Sequence, residues 1–204
     1  FQAEDGIRDR SPSRGLGDVY KRQGPNLSKR HSEHRVYPYL LRHVTADRPN
    51  HVWGCDITSI RLRNGWLYLV AILDWFSRYV ISWSLDETLE LGFVLDALAQ
   101  ARQPALPTIW NTDQGSHFTS PQVTQPLLEA GVRISMDGKG RATDNAFIER
   151  FFRTIKYDRL YLNPSRDGHE LFTECEDFIN YYNQRRSHSS IGRIPPAKVY
   201  KQAA

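Results

Sequence analysis

Long apolar runs, cysteine and strong charge of one sign are all scarce in this chain, and each shortage excludes something. The longest unbroken apolar stretch is Trp66 to Leu73, ended by Asp74, whereas a membrane-spanning helix needs about 20 such residues. No spanning segment is expected, and Phe1-Gln2-Ala3-Glu4-Asp5 lacks the basic-then-apolar layout of a secretion signal. Cys55 and Cys175 are the only cysteines. That is too few for a disulfide framework and fits a reducing cytoplasm. With His31 and His34 they supply the residue types of a zinc site, but not the close cysteine spacing that a zinc knuckle needs. At 204 residues with 40% hydrophobic and 25% charged, the chain has material for one packed core and does not read as disordered.

The net charge of +4 is mild but unevenly placed. Residues 1–50 hold ten Lys/Arg against six Asp/Glu, and the remainder balances at seventeen each. Within that balance, Arg133 to Arg166 carries eight basic and four acidic residues, a local excess compatible with nucleic-acid binding.

Residues 1–23 are polar, aperiodic and broken by Ser-Pro-Ser and Gly-Leu-Gly, the composition of a tail outside the fold. They also resemble translated sequencing-adaptor DNA, so the natural N-terminus is expected to lie elsewhere. Residues 24–50 read as a basic arm whose patch of Val36, Tyr37, Tyr39, Leu40 and Leu41 packs onto the domain after it. Residues 51–163 carry the main pattern, and 164–204 read as a helical extension. Val52–Arg63, Trp66–Asp74 and Arg78–Leu85 are β-rich runs with tight separations, predicting a three-stranded antiparallel meander. A helix over 89–102, a strand over 107–112, a helix from Ser120-Pro121 to about Ala130 and a strand over 132–136 come after it. Helices over about 143–160 and 167–185 are next, with Pro195-Pro196 as a closing turn. The pattern is an α/β mixed sheet flanked by helices.

Three carboxylates stand where such a sheet could gather them. Asp56 lies in the first strand between apolar neighbours, Asp113 ends the fourth, and Glu149 sits in the long helix. Clustered acidic oxygens suit hard cations such as Mg²⁺ and Mn²⁺, the ions of metal-assisted phosphoryl transfer. A salt bridge or turn role is the alternative for any lone Asp, and it suits Asp74 and Asp86 at strand ends better. Asn145, Glu149, Arg153 and Lys156 form one polar stripe opposite Phe147, Ile148, Phe151, Phe152 and Ile155. Glu149 is therefore either half of an exposed ion pair with Arg153 or a metal ligand flanked by cations.

Thirty-five residues separate Asp113 from Glu149. Around the three carboxylates stand Val52-Trp53-Gly54-Cys55-Asp56-Ile57-Thr58, Leu73-Asp74-Trp75-Phe76-Ser77-Arg78 and Asp113-Gln114-Gly115-Ser116-His117-Phe118-Thr119-Ser120. Further along stand Gly138-Lys139-Gly140-Arg141, Asp144-Asn145-Ala146-Phe147-Ile148-Glu149-Arg150, Tyr181-Tyr182-Asn183 and Arg186-Ser187-His188. Over roughly residues 34–200 these segments resemble insertion-sequence transposases of the second-reading-frame type, relatives of retroviral integrase catalytic domains. Ser59 departs from the pattern, where an aromatic is common.

The resemblance implies a ribonuclease H-like fold and a metal-dependent polynucleotidyl transferase active in transposition and DNA integration. Asp56, Asp113 and Glu149 would ligate two Mg²⁺ ions, with Mn²⁺ able to substitute. Gln114, His117, Asn145, Arg153 and Lys156 would contact DNA, and Lys139 and Arg141 would form a basic loop made flexible by Gly138 and Gly140. His117 could equally cap the next helix. The implied partners are transposon ends, target DNA, further copies of the chain, and a helix-turn-helix protein, separate or fused. A hydrolytic nuclease of the same fold and an inactive DNA-binding fragment are the alternative functions. Two further features stay open. Trp66, Tyr68, Trp75 and Trp83 are either a base-stacking platform or core packing, and Arg185, Arg186 and His188 either bind phosphate or form a solvated helix end.

Overall fold

The computed structural model describes residues 34–103, 105–138 and 145–202. The expected tail and the loop bearing Lys139 and Arg141 lie outside the described residues. Residues 34–50 contain no helix or strand and run along the body of the fold. Tyr37 donates its amide to Met136 Sδ, and Leu40 donates to Ser135 Oγ at 3.0 Å.

The sheet has five strands: β1 (Val52–Arg61), β2 (Trp66–Asp74), β3 (Val80–Asp86), β4 (Ile109–Thr112) and β5 (Arg133–Met136). Their spatial order is β3-β2-β1-β4-β5. The first three form the expected antiparallel meander, and β4 and β5 add parallel to β1. The helices are α1 (Gly92–Ala101), α2 (Ser116–Thr119), α3 (Pro121–Glu129), α4 (Ala146–Ile155), α5 (Gly168–Gln184) and α6 (Pro196–Gln202). Proline at the head of α6 loses nothing, because a first-turn amide has no partner within the helix. A helix therefore begins where a closing turn was expected.

Strand alternation divides the core between two sheet faces. Val52, Ile60, Leu69, Ala71 and Leu73 face α4 and α5, meeting Ile148, Phe151, Ile155, Leu171 and Phe178. Trp53, Cys55, Val70, Ile72 and Trp110 face the other way, onto α1 and α3 through Phe93, Val94, Leu98, Val123 and Leu127. With helices on both faces, β2 reads as a continuous apolar run rather than an alternating one. Cys55 and Cys175 belong to opposite faces and are both buried and free.

The long helix expected over 143–160 is not uniform. Beyond α4 the chain widens into a π-helical turn over Lys156–Leu160, where Tyr161 donates its amide to the Lys156 carbonyl at 2.8 Å. One extra residue in that turn lets Leu160 stay buried. Asp74, at the end of β2, accepts from Ser77 N and Oγ and from Asn50 N at 2.6–2.8 Å. Asp86 likewise accepts from Thr88 N and Oγ1. Both are turn residues, as their positions suggested.

Candidate active site

The parallel register decides which carboxylates meet. Val52 lies beside Ile109, Trp53 beside Trp110 and Gly54 beside Asn111. Continued two residues, the same offset brings Asp113 level with Asp56, on neighbouring strands about 4.8 Å apart. β5 pairs Thr112 with Met136, so one further step sets Asp137 level with Asp113. Asp113 and Asp137 thus stand just past the ends of β4 and β5, level with Asp56 in the middle of the longer β1. A crevice beyond the ends of parallel strands is where open α/β sheets place ligands.

Asp137 is the member that sequence reading missed. It is buried, its amide donates to the Thr112 carbonyl at 2.8 Å, and Asn111 Nδ2 donates to its Oδ1 at 2.9 Å. Gln114 Nε2 donates to the Asp137 carbonyl at 2.9 Å, which fastens the loop after Asp113 to the end of β5. The available signal was that Asp137 ends its strand as Asp113 ends β4.

The fourth carboxylate arrives on α4, which is tied to β1 on either side of Glu149. Asn145 Nδ2 donates to the Cys55 carbonyl at 3.3 Å, and Lys156 Nζ donates to Thr58 Oγ1 at 2.6 Å. Ile148, Phe151 and Ile155 are buried on the sheet side, so Glu149 and Arg153 are left exposed. Among the described residues Glu149 and Arg153 do not form the ion pair that was the alternative reading.

Electrostatics reports the convergence. Burial pushes the Asp56 carboxyl up to about 7, and like charge from Asp113, Glu149 and Asp137 adds to it against the Ile57 amide, which donates to Asp56 Oδ1 at 2.8 Å. Burial lowers the Lys156 ammonium, with Asp56 pulling it back up. Burial also raises the Cys55 thiol, helped by Asp56 and Asp113. Among the described residues no three His, Cys, Asp or Glu side chains converge closely enough to cage a metal ion as they stand. The donor chemistry nonetheless fits a hard divalent cation. The set is all carboxylate, mutually repelling at Asp56, and a cation would relieve that repulsion.

Other predicted contacts sit less directly. Asn145 is buried, and its Oδ1 has no partner among the described residues. The His117 ring is held by other groups: its Nε2, the donor toward a carbonyl, lies 2.6 Å from Leu89 O, and the ring edges Phe93 and Phe118. Trp75 is core, Trp83 packs on Phe172, and Trp66 is exposed near the Arg61 guanidinium.

Two glycines hold open space that side chains now use. A Cβ on Gly54 would stand 2.6 Å from Trp75 Nε1 and 2.7 Å from Asn145 Oδ1. A Cβ on Gly115 would stand nearest Asp113, at 2.8 Å from Oδ1, the atom that accepts from the Gly115 amide. Gly54→Ala is therefore expected to cost about 1–3 kcal/mol by overpacking, because a buried indole cannot swing aside. Gly115→Ala should cost under about 1 kcal/mol, while turning the Asp113 carboxylate. Denaturant titration of the two variants checks the order, and equal losses would contradict it.

An integrase core domain model matches residues 46–142, and a second integrase core domain model matches residues 130–196. The transposase for insertion sequence element IS904 of Lactococcus lactis subsp. lactis (strain IL1403) is 33% identical over 187 residues, covering 89% of this chain and 71% of that protein. The transposase for insertion sequence element IS629 of Shigella sonnei is 32% identical over 162 residues, covering 78% of this chain and 55% of that one. The chain thus spans between 55% and 71% of the length of these two relatives. Among solved structures, the simian T-cell lymphotropic virus intasome aligns with a TM-score of 0.67 at 19% identity, over 84% of this chain and 61% of that one. The HTLV-2 integrase catalytic core domain, solved with magnesium in a trimeric form, aligns at 0.63 and 21%, over 76% of this chain and 99% of that one. These likenesses establish the ribonuclease H-like fold.

Proposed function

The chain belongs to the transposases of insertion sequences that carry an integrase core domain, and from that premise we propose that residues 51–163 are a catalytic core that cuts and joins DNA strands. The observation that carries this reading is the levelling of Asp56 with Asp113 across parallel strands, with Glu149 laid beside them on a helix anchored at both ends.

Asp56, Asp113 and Glu149 are the residues to hold Mg²⁺, two ions by the family's pattern, with Mn²⁺ able to replace it. Bound there, such ions supply Lewis-acid activation of the attacking oxygen and neutralise charge on the phosphate. The chain's own groups supply position. Lys156, held beside Asp56 by Thr58, and the exposed Arg153 offer cations to backbone phosphates on the same side of α4 as Glu149. Gln114, by fixing the loop after Asp113, keeps that carboxylate at the strand end. Lys139 and Arg141 stand next in sequence as further phosphate contacts. In the joining step a DNA 3′-hydroxyl attacks a phosphodiester, one P–O bond forms as another breaks, and the leaving strand departs with its own 3′-hydroxyl. The substrates are transposon ends and target DNA, and bringing two ends together calls for more than one copy of the chain. A helix-turn-helix segment or protein would supply end recognition.

Product analysis on a labelled branched oligonucleotide with Mn²⁺ tests this, because a branched substrate mimics a joined end and asks least of end recognition. Metal-dependent rejoining of strands is expected for the full chain, falling by roughly a thousandfold or more in Glu149→Gln. Cleavage to water alone would identify a hydrolytic nuclease. Binding without turnover, unchanged in Glu149→Gln, would identify a non-catalytic fragment.

A further inference from the structure

Beside Glu149 on α4, one residue on and about 100° around the helix, Arg150 opens onto a second cavity. It has a volume of about 370 Å³ and lies between α4, the end of α5 and the segment beyond it. Three guanidiniums line it: Arg78 from the β2–β3 turn, Arg150 from α4 and Arg186 from beyond α5.

Their present partners differ. Arg78 forms the floor. It adopts a left-handed backbone conformation with φ of 65°, which is costly for a non-glycine residue. Its guanidinium donates to the Trp75 carbonyl, lies 3.4 Å from the Phe147 ring centre and feels the Tyr182 hydroxyl and the Asp74 carboxylate. Arg186 Nη1 meets Asp158 Oδ2 at 2.9 Å on its outer side. Arg150 has no acidic partner among the described residues, so the cavity keeps an excess of positive charge.

A second observation also points to a missing ligand. His188 lines the same cavity with its ring edge-on to Tyr182, 4.6 Å between centres, and its Nε2 is buried without a partner among the described residues. A buried polar nitrogen left unpaired forfeits the hydrogen bond that water gave it in the unfolded chain. Burial, with Arg186 and Arg78, pushes the imidazole down to about 4, so the ring is neutral near pH 7 and can offer an Nε2–H. Forked guanidinium donors beside an N–H donor are the recognition set for a phosphate oxyanion.

We propose that this cavity seats one phosphodiester of a DNA strand lying across α4, gripped by Arg150 and Arg186 above the Arg78 floor, with His188 donating to a non-bridging oxygen. The assignment rests on the strand-joining reading of Glu149, since it is the same strand that would reach that carboxylate. It also gives the segment beyond α5 a role, because Arg186, His188 and the exposed Ser189 and Ser190 close the cavity against α4.

The test measures binding of a labelled DNA duplex by the full chain across a range of KCl concentrations, alongside strand joining. Arg150→Gln is expected to flatten the dependence of log affinity on log salt by about 0.9, the value of one lost phosphate contact. Arg186→Gln should do the same, and Arg150→Lys should restore the slope. Inorganic phosphate should shift the His188 ring resonances of the wild type saturably. Wild-type slopes in both Gln variants would overturn the proposal even if strand joining is intact. A phosphate-induced shift with unchanged duplex slopes would reduce the cavity to a site for free phosphate and overturn the nucleic-acid assignment. Flattened slopes in the Gln variants, together with a wild type that joins no strands, would uphold the cavity and sink the transferase reading, so the two failures are separable.

Discussion

Asp56→Asn is expected to abolish strand joining and, in the same molecule, to raise the stability of the fold above pH 7. The first effect comes from removing a carboxylate at the centre of the proposed metal site, a loss of roughly a thousandfold or more. The second comes from proton linkage. The Asp56 carboxyl has an ordinary value of 3.8 and is pushed up to about 7 in the fold, by burial first and then by Asp113, Glu149 and Asp137. Below pH 4 the group is protonated in both the folded and unfolded chain and contributes no difference. Between pH 4 and 7 the unfolded chain releases the proton that the folded chain retains, so stability falls as pH rises. Above pH 7 the whole penalty stands, on the order of 4 kcal/mol. Asparagine cannot ionise and escapes it. Denaturant midpoints of the wild type and Asp56→Asn should therefore be close at pH 4 and diverge by pH 8, with the variant the more stable. Added Mg²⁺ should raise the wild type more than the variant at pH 8, because an ion bound to the folded chain offsets the repulsion. Parallel pH curves for the two proteins would show that Asp56 is not buried among like charges.

The other large effect is expected from the apolar side of the same helix. Phe151 is 1% exposed, edges Tyr182 of α5 at 5.1 Å between ring centres, and sits with Ile148 and Ile155 against the sheet. α4 is only ten residues long, too short to hold as a helix without a packed face. Phe151→Ala should cost about 3–5 kcal/mol, visible in chemical denaturation. Arg153→Ala, on the exposed face of the same helix, should change stability by no more than about 0.5 kcal/mol. A loss under about 1 kcal/mol for Phe151→Ala would mean that α4 is held by its two polar ties to β1 rather than by its buried face. The pairing matters for chemistry because Glu149 lies between Phe151 and Asn145 on that helix. Its position depends on apolar contacts that take no part in any reaction.

Local pattern carried much of this protein. β-rich composition and tight turns marked β1, β2 and β3, because residue preference and turn chemistry are properties of short segments. The apolar stripe through Ile148, Phe151, Phe152 and Ile155 marked α4, and it left Glu149 on the exposed side for the same local reason. The words around Asp56, Asp113 and Glu149 pointed to a family without any knowledge of distance. Tertiary structure decided what no segment contains. Asp137 joined the carboxylates because β4 and β5 run parallel in one register, a relation between residues 24 apart along the chain. Asn145, polar and at the head of α4, became a buried tie to β1 because Gly54 leaves room for its side chain. His117 turned toward Leu89. The π-helical turn after α4 answered the need to bury Leu160, not any break in the helical pattern. The charge state of Asp56 was likewise decided by the fold, since burial and like charges act through space. An isolated strand with the same residues would ionise at its ordinary value.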